Sequence, residues 1–212
     1  MSPVRIYGDQ GYLELAGPTQ AVNTSLIMPS GTGTSGQVIQ TDGAGNLSYT
    51  TPVTSNLTRE TEEPSTSGTA IDFTSIPSGV RRITILLDQV STNGTEYMLI
   101  QIGTGGTPTT TGYFSRTGQT FSTNGNPHSS TNGFSTTWGS TAGNRTGALF
   151  LHNMSGNKWI CSGMHSANDG VNIGVVMVGG VVTLSGELDM VRITQTGSNT
   201  FDAGSINLIL ED

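Results

Sequence analysis

Charge is what this chain lacks most. Only 11% of its 212 residues are Asp, Glu, Lys or Arg, against roughly 25% in an average soluble domain. Eight basic residues face 15 acidic ones, for a net charge of −7. A phosphate backbone is held by clustered Lys and Arg, and the only basic neighbours are Arg81 and Arg82. A strand points two neighbours to opposite faces, so even these do not form a shared patch, and nucleic acid is not an expected partner.

Cysteine is nearly missing too. Cys161 stands alone, which excludes an intrachain disulfide and a zinc cluster built from thiolates. No apolar stretch approaches the ~20 residues of a membrane span. The opening Met1-Ser2-Pro3-Val4-Arg5 does not begin the apolar core of a signal peptide. The expectation is synthesis in a cytoplasm, release by a route such as lysis, and no membrane insertion.

What fills the space is glycine, 30 residues of it, with Ser, Thr and Asn. These are turn and strand-surface residues and poor helix formers. Hydrophobic residues still make up 33% of the chain, enough over this length for one sandwich core and a small appendage. The fold class expected is all-β: a small glycine-rich N-terminal strand and hairpin region, then an antiparallel, jelly-roll-like β-sandwich.

Residues 1–50 read as short strands broken by glycine. Val4 to Tyr7 and Tyr12 to Leu15 flank Gly8-Asp9-Gln10-Gly11, a hairpin-like connection. Val38 to Gln40 and Leu47 to Tyr49 flank Asp42-Gly43-Ala44-Gly45-Asn46, whose residue types tolerate the positive φ of a tight turn. So few apolar groups cannot offset the ordering entropy of such a segment, and it calls for pairing with other copies. The stretch Leu26 to Thr50, LIMPSGTGTSGQVIQTDGAGNLSYT, resembles a unit common near the shafts of phage tail fibres. That resemblance implies a homotrimer, with residues 1–50 as an attachment or shaft region contacting other virion proteins.

Residues 51–68 are the most polar stretch and hold the dense charge cluster Arg59-Glu60-Thr61-Glu62-Glu63 between Pro52 and Pro64. They read as a linker or as an edge strand entering the next domain. From 69 to 212 the strands become regular. Ile71 and Phe73, then Ile83, Ile85 and Leu87, then Met98, Ile100 and Ile102 alternate with their neighbours, one face to a core and one to solvent. Further strands are predicted over Ala148 to Met154, Lys158 to His165, Val171 to Val178, Val181 to Leu184, Leu188 to Thr194 and Ser205 to Leu210. Nine or so strands at this spacing describe a sandwich. The continuous run Val175-Val176-Met177-Val178 suits a strand caught between a core and a neighbour.

The runs TAIDFTSIPSGVRRITILLDQVSTNGTEYMLIQIG, NKWICSGMH and SGELDMVRITQTGSNTFDAGSINLILED resemble the C-terminal domain of tail-fibre-like proteins of tailed phages, many of aquatic and cyanobacterial hosts. The resemblance implies a virion structural protein whose C-terminal domain binds the host surface, a glycan or a protein. It carries no catalytic motif. A head fibre or capsid decoration protein built from the same kind of domain is the alternative, and a polysaccharide depolymerase a third.

Between Thr104 and Asn144 the chain is rich in Gly, Ser, Thr and Asn and punctuated by Tyr113, Phe114, Phe121, Phe134 and Trp138. Long insertions in compact sandwiches are commonly functional. Ring faces cover the apolar side of a pyranose while amides and hydroxyls bond its OH groups. The ligand-binding residues expected are therefore Trp138, Tyr113 and Phe134 as stacking groups, with Asn132 and Asn144 as hydrogen-bond partners. The competing reading makes these rings hooks that fasten the loop to the sandwich.

Catalytic residues are not expected. Cys161 and His165 share a strand face but lie roughly 13 Å apart along it, beyond hydrogen-bond reach for a dyad. His152 could approach Cys161 across strands, but a lone Cys beside Trp159 and Ile160 reads as a small buried hydrophobe. Glu187 and Asp189 form the one conceivable carboxylate pair. Asn168-Asp169-Gly170 and the Asp42 to Asn46 turn lack the spacing of a calcium loop. No metal and no cofactor are expected.

Overall fold

A computed structural model describes residues 4–8, 11–15, 27–52, 56–120, 127–138, 143–168 and 170–212, with 4–8, 11–15 and 137–138 as backbone only. The chain divides into two compact units, Met1–Thr54 and Ser55–Asp212. Every regular element among the described residues is a strand.

Among the described residues the first unit holds two hairpins. Strands β1 (Val4–Gly8) and β2 (Gly11–Leu15) pair antiparallel, Gly8 opposite Gly11. Strands β3 (Val38–Thr41) and β4 (Leu47–Thr50) pair from Val38–Thr50 to Thr41–Leu47. The connecting turn is tied by Asp42, whose Oδ1 accepts from the amides of Ala44 at 2.8 Å and Asn46 at 3.1 Å. Its other oxygen accepts from Asn46 Nδ2 at 2.5 Å, and the bond from Asn46 is the main reason the carboxyl sits below its ordinary value. Gly43 and Gly45 take the positive φ the turn requires. All four residues of β3 are exposed, so this hairpin has no core of its own.

Among the described residues the second unit contains fourteen strands. They begin with β5 (Leu57–Arg59), β6 (Glu63–Pro64), β7 (Ala70–Thr74), β8 (Arg82–Thr92), β9 (Tyr97–Thr104) and β10 (Thr107–Pro108). Next come β11 (Phe114–Gln119), β12 (His128–Ser130), β13 (Phe134–Trp138) and β14 (Asn144–Ser155). The last are β15 (Lys158–Asn168), β16 (Ile173–Thr183), β17 (Met190–Gln195) and β18 (Phe201–Glu211). A smaller sheet runs β10-β9-β17-β7, with β13 also on β9. A larger one runs β12-β11-β16-β15-β14-β8-β18-β5, with β6 also on β18. All these pairings are antiparallel, and one hydrophobic cluster draws Phe73, Ile100 and Ile193 from the smaller sheet and Ile85, Leu149 and Leu208 from the larger. This is an all-β antiparallel sandwich.

Two features differ from the sequence reading, and a third is decided between its alternatives. Within 51–68, offered as linker or edge strand, the second holds: Leu57–Arg59 and Glu63–Pro64 are edge strands docked on β18. Pro64 is tolerated there because an edge strand need not donate on both sides. The segments Val171 to Val178 and Val181 to Leu184 are one strand, β16, running through Gly179-Gly180. A Cβ at Gly180 would lie 2.7 Å from the Phe114 carbonyl oxygen and 2.8 Å from Phe134 Cδ1; this glycine marks close packing. Finally, the stretch between Thr104 and Asn144 is not an appended loop, since it supplies β10 to β13. Strand β11 hides from pattern reading because its polar Ser115, Thr117 and Gln119 face inward while Phe114 and Arg116 face out.

Candidate functional site

The residues expected to bind ligand divide into three groups. Tyr113 and Phe134 are core: they are 3% and 0% exposed and meet edge to face, centroids 4.9 Å apart at 88°. The Tyr113 hydroxyl is occupied by the backbone of Ile102. Neither ring offers a face to a sugar, and the reading of these two as stacking platforms is corrected to the anchoring alternative. Burying such rings yields more than leaving them wet, and the β9–β13 pairing puts Phe134 opposite Ile100 on the core side.

Asn144 lies at the start of β14 in a side-chain clasp. Its Oδ1 accepts from Asn168 Nδ2 at 2.8 Å, and its Nδ2 donates to Gln89 Oε1. These bonds hold β14 to its neighbours and leave Asn144 in a structural role. Asn132 is exposed on the turn between β12 and β13. Trp138 stands opposite Tyr97 in the β9–β13 ladder; its side chain lies outside the described residues.

Asn132 and Trp138's ladder partner lead to one place. On β9, Met98, Ile100 and Ile102 point to the core, which turns Tyr97, Leu99 and Gln101 to the outer face of the smaller sheet. The β12 strand and the following turn fold over this face. Gln101 Nε2 donates to the Asn132 carbonyl at 2.8 Å, and the Tyr113 amide donates to the Thr131 carbonyl at 3.1 Å. Gly133 permits the approach, since a Cβ there would be 3.1 Å from both Gln101 Cγ and the Ile100 carbonyl oxygen.

The result is an open cleft of about 390 Å³ lined by Leu99, Gln101, Thr110, His128, Ser129, Ser130, Thr131, Asn132, Gln195 and Thr196. Among the described residues no Asp, Glu, Lys or Arg lines it. His128 stacks on Tyr97 with ring centroids 3.6 Å apart and planes within 12°, and its Nδ1 shares a 2.8 Å hydrogen bond with Ser135 Oγ. Partial burial pushes the His128 imidazole below its ordinary value, which favours the neutral ring. Gln195 Nε2 donates to the Asn199 carbonyl at 2.8 Å, while its buried Oε1 has no hydrogen-bond partner. A buried acceptor left unpaired is unfavourable by about 1–3 kcal/mol, and a ligand hydroxyl would relieve it.

Sequence reasoning missed Tyr97, His128, Gln101 and Gln195. The stacked pair joins residues 31 positions apart by numbering, and nothing local signals it. Gln101 alone was legible, as the polar member on the outer side of an alternating strand.

The other chemistry-bearing groups are dispersed. Leu151 is the ladder partner of Cys161 and Ile160 that of His152, so His152 and Cys161 lie on opposite faces of the sheet. Cys161 is fully buried and burial pushes its thiol up to about 12. Glu187 and Asp189 precede β17 and accept from loop amides: Glu187 Oε1 from Gly79 at 2.8 Å, the Asp189 oxygens from Gly106 at 3.0 and 3.1 Å. Among the described residues no three His, Cys, Asp or Glu side chains converge as metal ligands, and no helix is long and apolar enough to cross a membrane. No protein-family model, curated protein or solved structure matches this chain.

Proposed function

We propose that this chain is a virion structural protein of the phage tail-fibre kind, whose sandwich unit binds a neutral glycan on a host cell without cleaving it. The observation that carries the glycan reading is the uncharged cleft on the smaller sheet, where amides and hydroxyls surround a Leu99 floor beside the Tyr97–His128 stack. Sugars present both CH faces and OH groups, and this lining offers an apolar surface together with donors and acceptors of both kinds. A charged ligand would leave its charge without a counter-ion here. The volume suits one or two pyranose rings, and three such sites on a homotrimer would gain avidity through effective concentration. Residues 1–50 would join the chain to other virion proteins.

Asn132→Ala and His128→Ala tests this reading. Purified protein should block adsorption of virions to host cells, and each substitution should weaken that competition about tenfold, the loss of one or two hydrogen bonds at a wet site. Melting temperature should stay nearly constant for Asn132→Ala. Unchanged competition by both variants would place the site elsewhere. Release of reducing ends from host polysaccharide, lost in Glu187→Gln or Asp189→Asn, would make the protein a depolymerase. Antibody labelling of intact virions distinguishes a tail position from a capsid one.

A further inference from the structure

We infer that the sandwich unit carries a second ligand site, at the end where the β14–β15 hairpin turns, and that this site takes a carboxylate-bearing sugar such as a hexuronate. None of its residues lines the uncharged cleft on the smaller sheet, and the inference does not rest on what that cleft binds.

The site begins as the last inner row of the larger sheet. Ile83, Leu151 and Cys161 stand side by side across β8, β14 and β15, all fully buried. The next row, Arg82, His152 and Ile160, belongs to the opposite face. One residue further the inner row returns, and it is no longer apolar throughout. It reads Arg81, Asn153, Trp159 and Val182, joined by the Asn153 amide donating to the Arg81 carbonyl at 2.8 Å and by Trp159 pairing with both Asn153 and Val182. Here the core gives way to an open cleft of about 490 Å³, lined by Arg81, Asn153 and Trp159 together with Val80, Leu188 and Glu187. Small-molecule sites occupy ~300–1,000 Å³.

Unpaired donors are what the cleft has in excess. Trp159 is 2% exposed, and its Nε1 is buried with no hydrogen-bond partner, a state that buried indoles normally avoid. Arg81 forms no ion pair among the described residues, although Glu187 lines the same cleft. The acceptors are fixed in place by bonds on their far side. Asn153 Nδ2 donates to the Gly156 carbonyl at 2.7 Å, which keeps its Oδ1 for a ligand. Glu187 Oε1 accepts from the Gly79 amide at 2.8 Å, which keeps Oε2.

One ligand chemistry answers all four groups. A carboxylate accepts paired N–H bonds from a guanidinium and has lone pairs left for an indole N–H. Hydroxyls on the same sugar ring donate to Asn153 Oδ1 and Glu187 Oε2, and its CH groups lie against Val80 and Leu188. A neutral sugar would leave Arg81 without its counter-charge. A small inorganic anion would give Asn153 and Glu187 no donor, and an amine would set its cation beside Arg81 while the indole stayed unpaired.

Trp159 supplies its own reporter. The chain has two tryptophans, so a proton–nitrogen NMR spectrum of the isotope-labelled full chain carries two indole N–H signals, and Trp138→Phe leaves that of Trp159. Sodium glucuronate and sodium galacturonate are titrated to about 50 mM, above the millimolar Kd usual for a single sugar contact, with glucose and sodium acetate in parallel. The Trp159 signal should shift saturably with at least one uronate, and each control should need at least ~10-fold more. Arg81→Gln should weaken uronate binding about tenfold or more. Should that variant fail to fold, Arg81→Lys carries the test: it keeps the charge, loses the paired geometry and should weaken binding by a smaller factor. His128→Ala should leave uronate binding unchanged, so the two clefts fail or succeed separately. A Trp159 signal that neither uronate moves overturns the inference. So does a shift that glucose or acetate matches, or one that keeps full affinity in the Arg81 variant.

Discussion

The hydroxyl of Tyr113 closes the backbone of Ile102: it accepts from the Ile102 amide at 2.8 Å and donates to the Ile102 carbonyl at 3.2 Å. The reason lies in the sheet edge. Strand β13 pairs with β9 only as far as Phe134 opposite Ile100, and beyond that point the outward amide of Ile102 has no strand to meet. A phenol from the adjoining segment takes that place. Tyr113→Phe should therefore lower stability by about 1–3 kcal/mol, the price of a buried amide left unpaired, read as a shift in the urea midpoint at constant m value. Glycan binding should not change. An unaltered midpoint would show that water replaces the hydroxyl.

Adjacent glycines of β16 should behave oppositely. Gly180→Ala drives a methyl into the Phe114 carbonyl and the Phe134 ring and should destabilise by at least ~2 kcal/mol through overpacking. Gly179→Ala meets open space and should be nearly neutral to monomer stability. Thermal melts of the two variants side by side decide it.

His165 is 2% exposed, and burial, with a contribution from nearby Arg145, pushes its imidazole from 6.5 down to about 4. Its Nδ1 donates to the Ser166 carbonyl at 3.0 Å. The folded value lies below the unfolded one, so the unfolded chain binds more protons in between. Stability from this group is intact above pH 6.5 and declines as pH falls towards 4, at up to ~1.4 kcal/mol per pH unit. His128, also depressed by burial, acts in the same direction. His165→Gln should flatten the decline in denaturant-measured stability across that window, and an equally steep profile would refute the assignment.

Asp42 is fully exposed, yet its carboxyl is held low, chiefly by the Asn46 side chain and then by the Ala44 amide. The charged form is the one the turn prefers. Its contribution is present above the ordinary value of 3.8 and is lost as pH falls through the lowered one. Carboxyl chemical shifts followed by NMR should show Asp42 titrating below 3.8, with Asn46→Ala returning it towards that value.

Much of the architecture was written locally. Period-two alternation at Ile83 to Leu87 and Met98 to Ile102 depends only on neighbouring residues, and it located strands and their core faces. The turn at Asp42 to Asn46 was legible because positive φ and side-chain-to-backbone bonds are properties of the residues themselves. That the described residues form no helix followed from the same kind of local preference.

Tertiary structure decided the rest, because burial is a property of the partner and not of the residue. Tyr113 and Phe134 looked like exposed rings in a polar stretch; the β9–β13 pairing and the Tyr113 hydroxyl's bonds to the Ile102 backbone made them core. Ser115, Thr117 and Gln119 are polar yet face inward, and there Ser115 Oγ accepts from the Ser135 amide at 2.9 Å. The cleft exists only because β12 and its turn fold back over Leu99 and Gln101, bringing His128 onto Tyr97. Exposure across β15 and β16 has the same origin: the sequence marked Val175 to Val178 as apolar throughout, but only the register of the strands shows Met177, Met164 and Phe114 standing together on one side of the sheet.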